Sequence, residues 1–271
     1  MGFSLGYTAN GIWVGRFSHF DDSQVIHAVS TRLGGKSQAP FASLNLGLHT
    51  GDAAGSVRLN RKMFCQAAGI EPGKTVTAEQ VHGAKVVRVK ADDAGRGMEN
   101  YHDALTATDA LITNTPGLAL LLFFADCVPV FIVDPVNQAI GISHAGWKGT
   151  VAGIAQKTVS AMCDQFGTRP EVCLAGIGPS VGPCCYEVDE RVAKQVKEQF
   201  SCWKELLKPE GEKWRLNLWL ANQVQLAEAG VPAANIEISG VCTSCNTDLF
   251  FSYRAEHGHT GRIGAIISLK G

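Results

Sequence analysis

The chain lacks any run of ~20 apolar residues, the length a membrane-spanning helix needs. Its most apolar segment, residues 118–133, is broken by Asp126 and Pro129. It also lacks a charge excess: a formal net charge of -1 offers no whole-molecule field for nucleic acid or for an anionic membrane surface. The opening residues, MGFSLGYTANGIWVGRF, show no basic head followed by an apolar core and a small-residue cleavage site, so the expectation is a soluble cytoplasmic protein. Nor is there a Walker phosphate loop, a GxGxxG after a strand or an HExxH pair, which removes three common routes to nucleotide or metal chemistry. No repeat recurs at a fixed period and no linker interrupts the composition, so residues 1–271 are expected to form one domain.

What is present is an ordinary globular composition, 45% hydrophobic and 18% charged, enough for a sizeable core. Nine cysteines are many, and odd in number. Beside a full core and without a secretion signal they read as reduced thiols rather than a disulfide framework, most of them buried as small residues. Cys242-Thr243-Ser244-Cys245 is a lone CxxC, weak evidence for metal or redox chemistry without a second pair. Adjacent Cys184 and Cys185 are expected to pack, because regular structure does not aim neighbouring thiols at one ion.

Apolar periodicity places the elements. Residues 11–29 read as two strands joined by a polar turn at Asp21-Asp22-Ser23. Further strands are expected at 74–80, 84–90, 109–113, 118–125, 130–133, 139–143, 171–177, 236–241, 249–253 and 263–269. Helical spacing begins at Ser56, the expected cap, and ends at Gly69. A second helix follows Gly149 and stops at Gly167, a third is capped by Asp189 and runs to about Phe200, and a fourth covers 218–229. On the first helix, Asn60 and Arg61 fall on a polar face expected to meet solvent. Residues 91–108 are polar and aperiodic, a surface excursion.

Residues 120–150, LLLFFADCVPVFIVDPVNQAIGISHAGWKGT, deliver polar groups where apolar runs end. Asp126 and Cys127 follow one run and His144 another. Gly146-Trp147-Lys148-Gly149 then turns into a helix, where backbone N–H groups could hold an anion. Upstream, His82 precedes a glycine at a strand break. The separations among His82, Cys127 and His144 are far wider than those of paired zinc-finger ligands. On the residues alone three readings stay open. The three could ligate one metal, two imidazoles and a thiolate suiting Zn²⁺ and leaving a fourth position for water or substrate. Cys127 and His144 could instead form a nucleophile and base, oriented by Asp126 or another carboxylate. Or all three could be hydrogen-bonded core residues.

Five ordered motifs carry a resemblance: Gln80-Val81-His82-Gly83, residues 125–129 (ADCVP), residues 144–149 (HAGWKG), residues 178–188 (GPSVGPCCYEV) and residues 250–254 (FFSYR). Together they closely resemble the YfiH family, whose members are also labelled laccase-domain or multicopper polyphenol oxidase proteins. Residues 30–35 (STRLGG) and 43–47 (SLNLG) extend the match over nearly the whole chain. The resemblance implies an α+β fold of four layers, α/β/β/α, with a mixed β-sandwich core similar to that of cysteine hydrolase-like toxins. It implies Zn²⁺ held by His82, Cys127 and His144, with copper as the alternative metal. It also implies phosphorolysis of adenosine, inosine, guanosine and methylthioadenosine, together with adenosine deamination. Two other assignments exist in the family: a cysteine hydrolase or amidase editing a peptidoglycan precursor, with Cys127 as nucleophile, and a copper-dependent polyphenol oxidase. Eight scattered histidines argue against the clustered coppers of a true laccase.

Deamination needs an activated water, which an open metal position could supply. Phosphorolysis needs phosphate held beside the sugar carbon and stabilisation of the departing base. Arg32, Arg61 and Lys148, with the helix start after Gly149, are the groups available for phosphate. Asn45 and Gln80 are candidates for ribose or base edges, and Trp147 for stacking on a purine. Asp126 is a candidate general acid or partner of a metal ligand. The expected catalytic set is therefore Cys127, His144, His82 and Asp126. The expected partners are small molecules, purine nucleosides and phosphate, with neither nucleic acid nor membrane.

Overall fold

A strand that is apolar on every residue must be covered on both faces. The computed structural model, which describes residues 2–20 and 24–271, meets that demand by stacking layers. The first third of the chain carries β1 (Ser4–Tyr7), β2 (Trp13–Arg16), β3 (Val25–Ser30), α1 (Ala54–Ala68), β4 (Thr75–Thr77) and β5 (Val86–Arg88). The middle carries β6 (Ala110–Thr113), β7 (Ala119–Phe124), β8 (Val128–Asp134), β9 (Ala139–Ala145), α2 (Trp147–Val151), α3 (Ile154–Phe166) and β10 (Leu174–Ile177). The last part carries β11 (Glu187–Val188), α4 (Glu190–Gln199), α5 (Trp203–Leu206), β12 (Leu207–Glu210), β13 (Lys213–Leu216), α6 (Leu218–Glu228), β14 (Ile236–Ile238) and β15 (Ile263–Leu269).

One six-stranded sheet runs β1-β2-β3-β15-β7-β4 and a second β14-β10-β8-β9-β6-β5, with a small sheet β11-β13-β12 beside them. Both large sheets are mixed, since β4 runs parallel to β7, β5 to β6 and β14 to β10. Strand β7 shows how the alternation of side chains makes the layers. Leu120, Leu122 and Phe124 join Phe131, Val133, Ile140 and Ile142 of the facing sheet in one core. Ala119, Leu121 and Phe123 pack the other way, with Phe64 and Ala68 of α1. On β8, Val130 and Ile132 turn outward to Val159 of α3 and Leu226 of α6. The order is helix, sheet, sheet, helix, as the family resemblance implied, and each fully buried Leu, Ile or Phe contributes ~1.5–3 kcal/mol. No helix among the described residues is long and apolar enough to cross a membrane.

Several sequence expectations need correction. Residues 249–253 form turns, not a strand, with the Phe250 N–H donating back to the Asn246 carbonyl at 2.9 Å. The two consecutive phenylalanines, Phe250 and Phe251, are both buried in the core between the sheets, which strand alternation would forbid. Helix α1 starts at Ala54 without a side-chain cap, leaving Ser56 inside its first turn. Gly153, at φ 79°, splits the helix expected after Gly149 into α2 and α3. Gly69, Gly167 and Asp189 cap as expected. The turn placed at Asp21-Asp22-Ser23 lies outside the described residues. Asn60 and Arg61 are not solvated but buried, at 0% and 1% exposure. Loops fold over them and supply acceptors: Asn60 Nδ2 donates to Ser37 Oγ and the Ser43 and Asn45 carbonyls, and Arg61 donates to the carbonyls of Leu46, Gly97 and Met98. Residues 91–108 accordingly send Met98, Ala104 and Leu105 into the interior.

Candidate metal centre

The candidate ligands come from three chain segments that end at one place. Cys127 precedes β8, and β8 pairs antiparallel with β9 so that Val128 lies opposite Ala145 and Pro129 opposite His144. The thiol and the imidazole are thus delivered to the same end of the sheet. Asp126, at φ 78°, makes the tight turn between β7 and β8, and His82, at φ 61°, sits in the break between β4 and β5. The ligand atoms of His82, Cys127 and His144 lie within 4.8 Å of one another. A tetrahedral ion with bonds of ~2.0–2.3 Å holds its ligands ~3.3–3.8 Å apart, so the three side chains fit such an ion. Gly146 keeps the space open: a Cβ there would stand 2.8 Å from Cys127 Sγ and 3.1 Å from His82 Cδ2.

A carboxylate that the sequence reading passed over organises the centre. Asp109 Oδ1 lies 2.9 Å from His144 Nδ1 and accepts the His82 N–H at 2.9 Å. Its Oδ2 accepts the N–H groups of Val81 at 3.2 Å and Gly83 at 2.7 Å. One buried side chain therefore fastens both the loop presenting His82 and the ring of His144, leaving His144 Nε2 to face the centre. In metal sites a carboxylate paired in this way with a histidine orients the ligand and raises its basicity. The available signal was a charged residue heading an apolar strand. Burial pushes the Asp109 carboxyl up, but the contact with His144 and the backbone N–H bonds outweigh it and hold it below its ordinary range.

Burial likewise pushes the Cys127 thiol up, and the charge of His144 with contacts from both imidazoles overcomes this and brings it down to about 6. Burial lowers His144, yet the Cys127 charge and the Asp109 bond lift it to about 9. Both shifts favour the charged thiolate–imidazolium form of the pair, and a metal would take the place of the imidazolium proton. The same pair could act as nucleophile and base.

These groups open onto a cavity of about 510 Å³. Among the other sequence candidates, Gln80, Asp126, Trp147 and Lys148 line it. Gln80 uses both ends of its amide on the Phe123 backbone, donating to the carbonyl and accepting the N–H at 2.8 Å each, so it pins the His82 loop to β7. Asp126 accepts from Thr243 Oγ1 and the Arg254 N–H at 2.6 Å each, and burial raises its carboxyl despite them. Lys148 is exposed and forms no ion pair among the described residues. Arg32, Asn45 and Arg61 are not among the lining residues. Arg32 pairs with Glu256 and donates to the Thr247 carbonyl. Asn45 is buried and accepts the Arg262 N–H at 2.8 Å, which makes it a support for a lining residue. Arg61 spends its guanidinium on backbone carbonyls and on the Phe123 ring, 4.2 Å away. The lining residues that sequence reasoning did not single out include Arg254, Arg262, His49, Tyr186 and Tyr253. Arg254 and Tyr253 were in view within the FFSYR motif, whereas Arg262 and His49 carry no local signal.

Residues 26–270 match the profile of the family described as multi-copper polyphenol oxidoreductase laccase. A protein of Geobacillus stearothermophilus named purine nucleoside phosphorylase YlmD is 40% identical over 247 residues, 89% of each chain. A protein from an unknown prokaryotic organism named adenosine deaminase RL5 is 33% identical over 224 residues, 82% of this chain and 85% of its own. The crystal structure of Bacillus licheniformis hypothetical protein YfiH is similar with a TM-score of 0.93 at 38% identity, over 98% of this chain and 99% of that one.

Proposed function

The chain belongs to the family described as multi-copper polyphenol oxidoreductase laccase, and from that premise we propose that it is a zinc-dependent purine nucleoside phosphorylase with adenosine deaminase activity. Its substrates on this reading are adenosine, inosine, guanosine and methylthioadenosine with inorganic phosphate. The observation that carries the reading is that one cavity joins the His82, Cys127 and His144 centre to three cationic side chains, Lys148, Arg254 and Arg262. A volume of about 510 Å³ suits a nucleoside together with an anion. The names of the two relatives point to the same pair of reactions.

When bound, zinc would supply Lewis acidity, activating water for deamination or polarising the purine. The chain's own residues do the rest. Lys148, Arg254 and Arg262 hold phosphate near the sugar carbon. A phosphate oxygen bonds to C1′ as the bond from C1′ to the purine nitrogen breaks, and the departing base takes the electron pair and then a proton. Trp147 and Tyr253 offer ring faces against which a purine can pack. Asp109 keeps His144 in its ligand tautomer, while Gln80 and Asp126 tie down the loops that carry His82 and Cys127.

The polyphenol oxidase reading is disfavoured because, among the described residues, His82 and His144 are the only histidines that converge on a candidate metal group. Two imidazoles and a thiolate do suit copper as a donor set, so metal content belongs in the test. Zinc-loaded protein is incubated with adenosine, with and without phosphate, and products are followed by chromatography beside metal analysis of wild type and Cys127→Ala. The expected result is phosphate-dependent release of adenine, with inosine formed in either case, both lost with the metal in Cys127→Ala. The absence of turnover of every nucleoside by zinc-loaded protein would sink the reading. Stoichiometric copper with phenol oxidation would replace it by the oxidase, and turnover of a cell-wall precursor by metal-free protein, abolished when an electrophile labels Cys127, by the hydrolase.

A further inference from the structure

Four of the nine cysteines meet behind one wall of the cavity. The sulfurs of Cys184, Cys185, Cys242 and Cys245 all lie within 4.8 Å of one another. Cys245 Sγ stands 3.5 Å from Cys184 Sγ and 3.3 Å from Cys185 Sγ, so these are contacts between free thiols. The adjacent pair was expected to pack. Here it sits in a turn, where the Cys185 and Tyr186 N–H groups both donate to the Gly182 carbonyl. Irregular backbone of this kind frees neighbouring side chains from the opposed directions a strand would impose. The CxxC loop meets them from the other side. Gly182 N–H donates to Cys242 Sγ at 3.2 Å, the kind of bond that supports a metal-bound sulfur.

Burial does not account for this gathering, because Cys184 and Cys245 are exposed. Packing alone would leave exposed thiols no reason to converge on one another. We propose that Cys184, Cys185, Cys242 and Cys245 form a second metal site, a closed tetrathiolate centre for a soft divalent ion of the zinc class. Tetrahedral coordination at ~2.3 Å puts sulfurs ~3.8 Å apart, within the spread seen. Loading converts the four thiols to thiolates and releases their protons to solvent. Four sulfurs leave no open position, so the centre is structural.

Its work follows from what the two loops carry. They are joined by a bridge at Ser180 and Cys242, with Ser180 N–H donating to Val241 and Thr243 N–H to Ser180. One loop supplies Val181 and Tyr186 to the cavity. The other supplies Thr243, whose hydroxyl holds Asp126 beside Cys127. An ion clamping these loops fixes the cavity wall beside Asp126 and Cys127, where the Val181 N–H donates to the Asp126 carbonyl, whatever reaction the candidate centre serves.

The test uses the full chain, purified reduced and loaded with Zn(II) or Co(II) alone. Wild type is expected to bind two equivalents. His82→Ala and Cys245→Ser are each expected to bind one. The cobalt form of His82→Ala should keep the strong thiolate charge-transfer bands of a tetrathiolate centre, and Cys245→Ser should lose them. In wild type, which needs no variant to fold, zinc should shield Cys184 and Cys245 from alkylation and a chelator should expose them. Three results would overturn the proposal: a single equivalent in wild type that vanishes in His82→Ala, alkylation of Cys184 and Cys245 that zinc leaves unchanged, or a disulfide among the four that persists in reduced, zinc-loaded protein.

Discussion

Replacing Asp109 by asparagine changes one atom's chemistry at the point where the centre is held together. The carboxylate contacts four groups, His144 Nδ1 and the N–H groups of Val81, His82 and Gly83, at 2.7–3.2 Å. It is fully buried, so no water can substitute. Asparagine keeps one acceptor oxygen and turns an NH₂ toward donors, which leaves about two of the four contacts unmade. Hydrogen bonds to a charged group are worth ~1.5–3 kcal/mol each, so the metal-free Asp109→Asn protein should lose roughly 3–6 kcal/mol in urea unfolding. Loss of the partner that orients a ligand histidine typically weakens metal binding ~10–100-fold, about 1.4–2.7 kcal/mol. Zinc competition against a chromophoric chelator reads this term separately from unfolding, with Cys245→Ser as background so that a single site is titrated. A variant that is destabilised yet binds zinc as tightly as its parent would reduce Asp109 to a structural anchor. A variant unchanged in both measurements would refute the reasoning altogether.

Arg61→Lys should act on stability and not on phosphate. Lysine cannot reproduce the fork that reaches Leu46, Gly97 and Met98 over the Phe123 ring, so a loss of roughly 2–4 kcal/mol is expected in denaturant unfolding with the KM for phosphate unchanged. A raised KM at unchanged stability would return Arg61 to the phosphate site. His27, which is not among the residues lining the cavity of the candidate centre, should make the protein acid-sensitive. Its Nε2 accepts the Phe17 N–H at 2.8 Å, and burial, with the charges of Arg16 and His19, lowers its pKa to about 3. The unfolded chain protonates this ring near its ordinary value and the folded chain does not. Stability therefore falls as pH drops from ~6.5 toward 3, by up to ~1.4 kcal/mol per pH unit. His27→Gln should flatten that slope by one proton, and equal slopes in the two proteins would show that His27 is not the group responsible.

The sequence by itself determined the elements whose physics is local. The doubly apolar runs of β7, β8, β9 and β15 demanded burial on both faces, and Gly69, Gly167 and Asp189 marked helix ends through backbone conformation and capping. The three candidate ligands were legible because each sits at or near the end of an apolar strand, and because their motifs resemble one family. What lay beyond the sequence was every role set by a partner distant along the chain. Asp109 meets His144 across 35 residues and Asp126 meets Thr243 across 117, and no periodicity reports such pairs. Arg61 and Asn60 looked solvated on a helical wheel, and only the loops folded over α1 show that their polar atoms are spent on carbonyls. Cys184 and Cys185 looked misdirected for one ion until an irregular turn and the distant CxxC brought four sulfurs together. Local propensity acts through neighbouring residues, whereas ligation, buried polar pairing and cavity walls depend on which surfaces the packed sheets bring face to face.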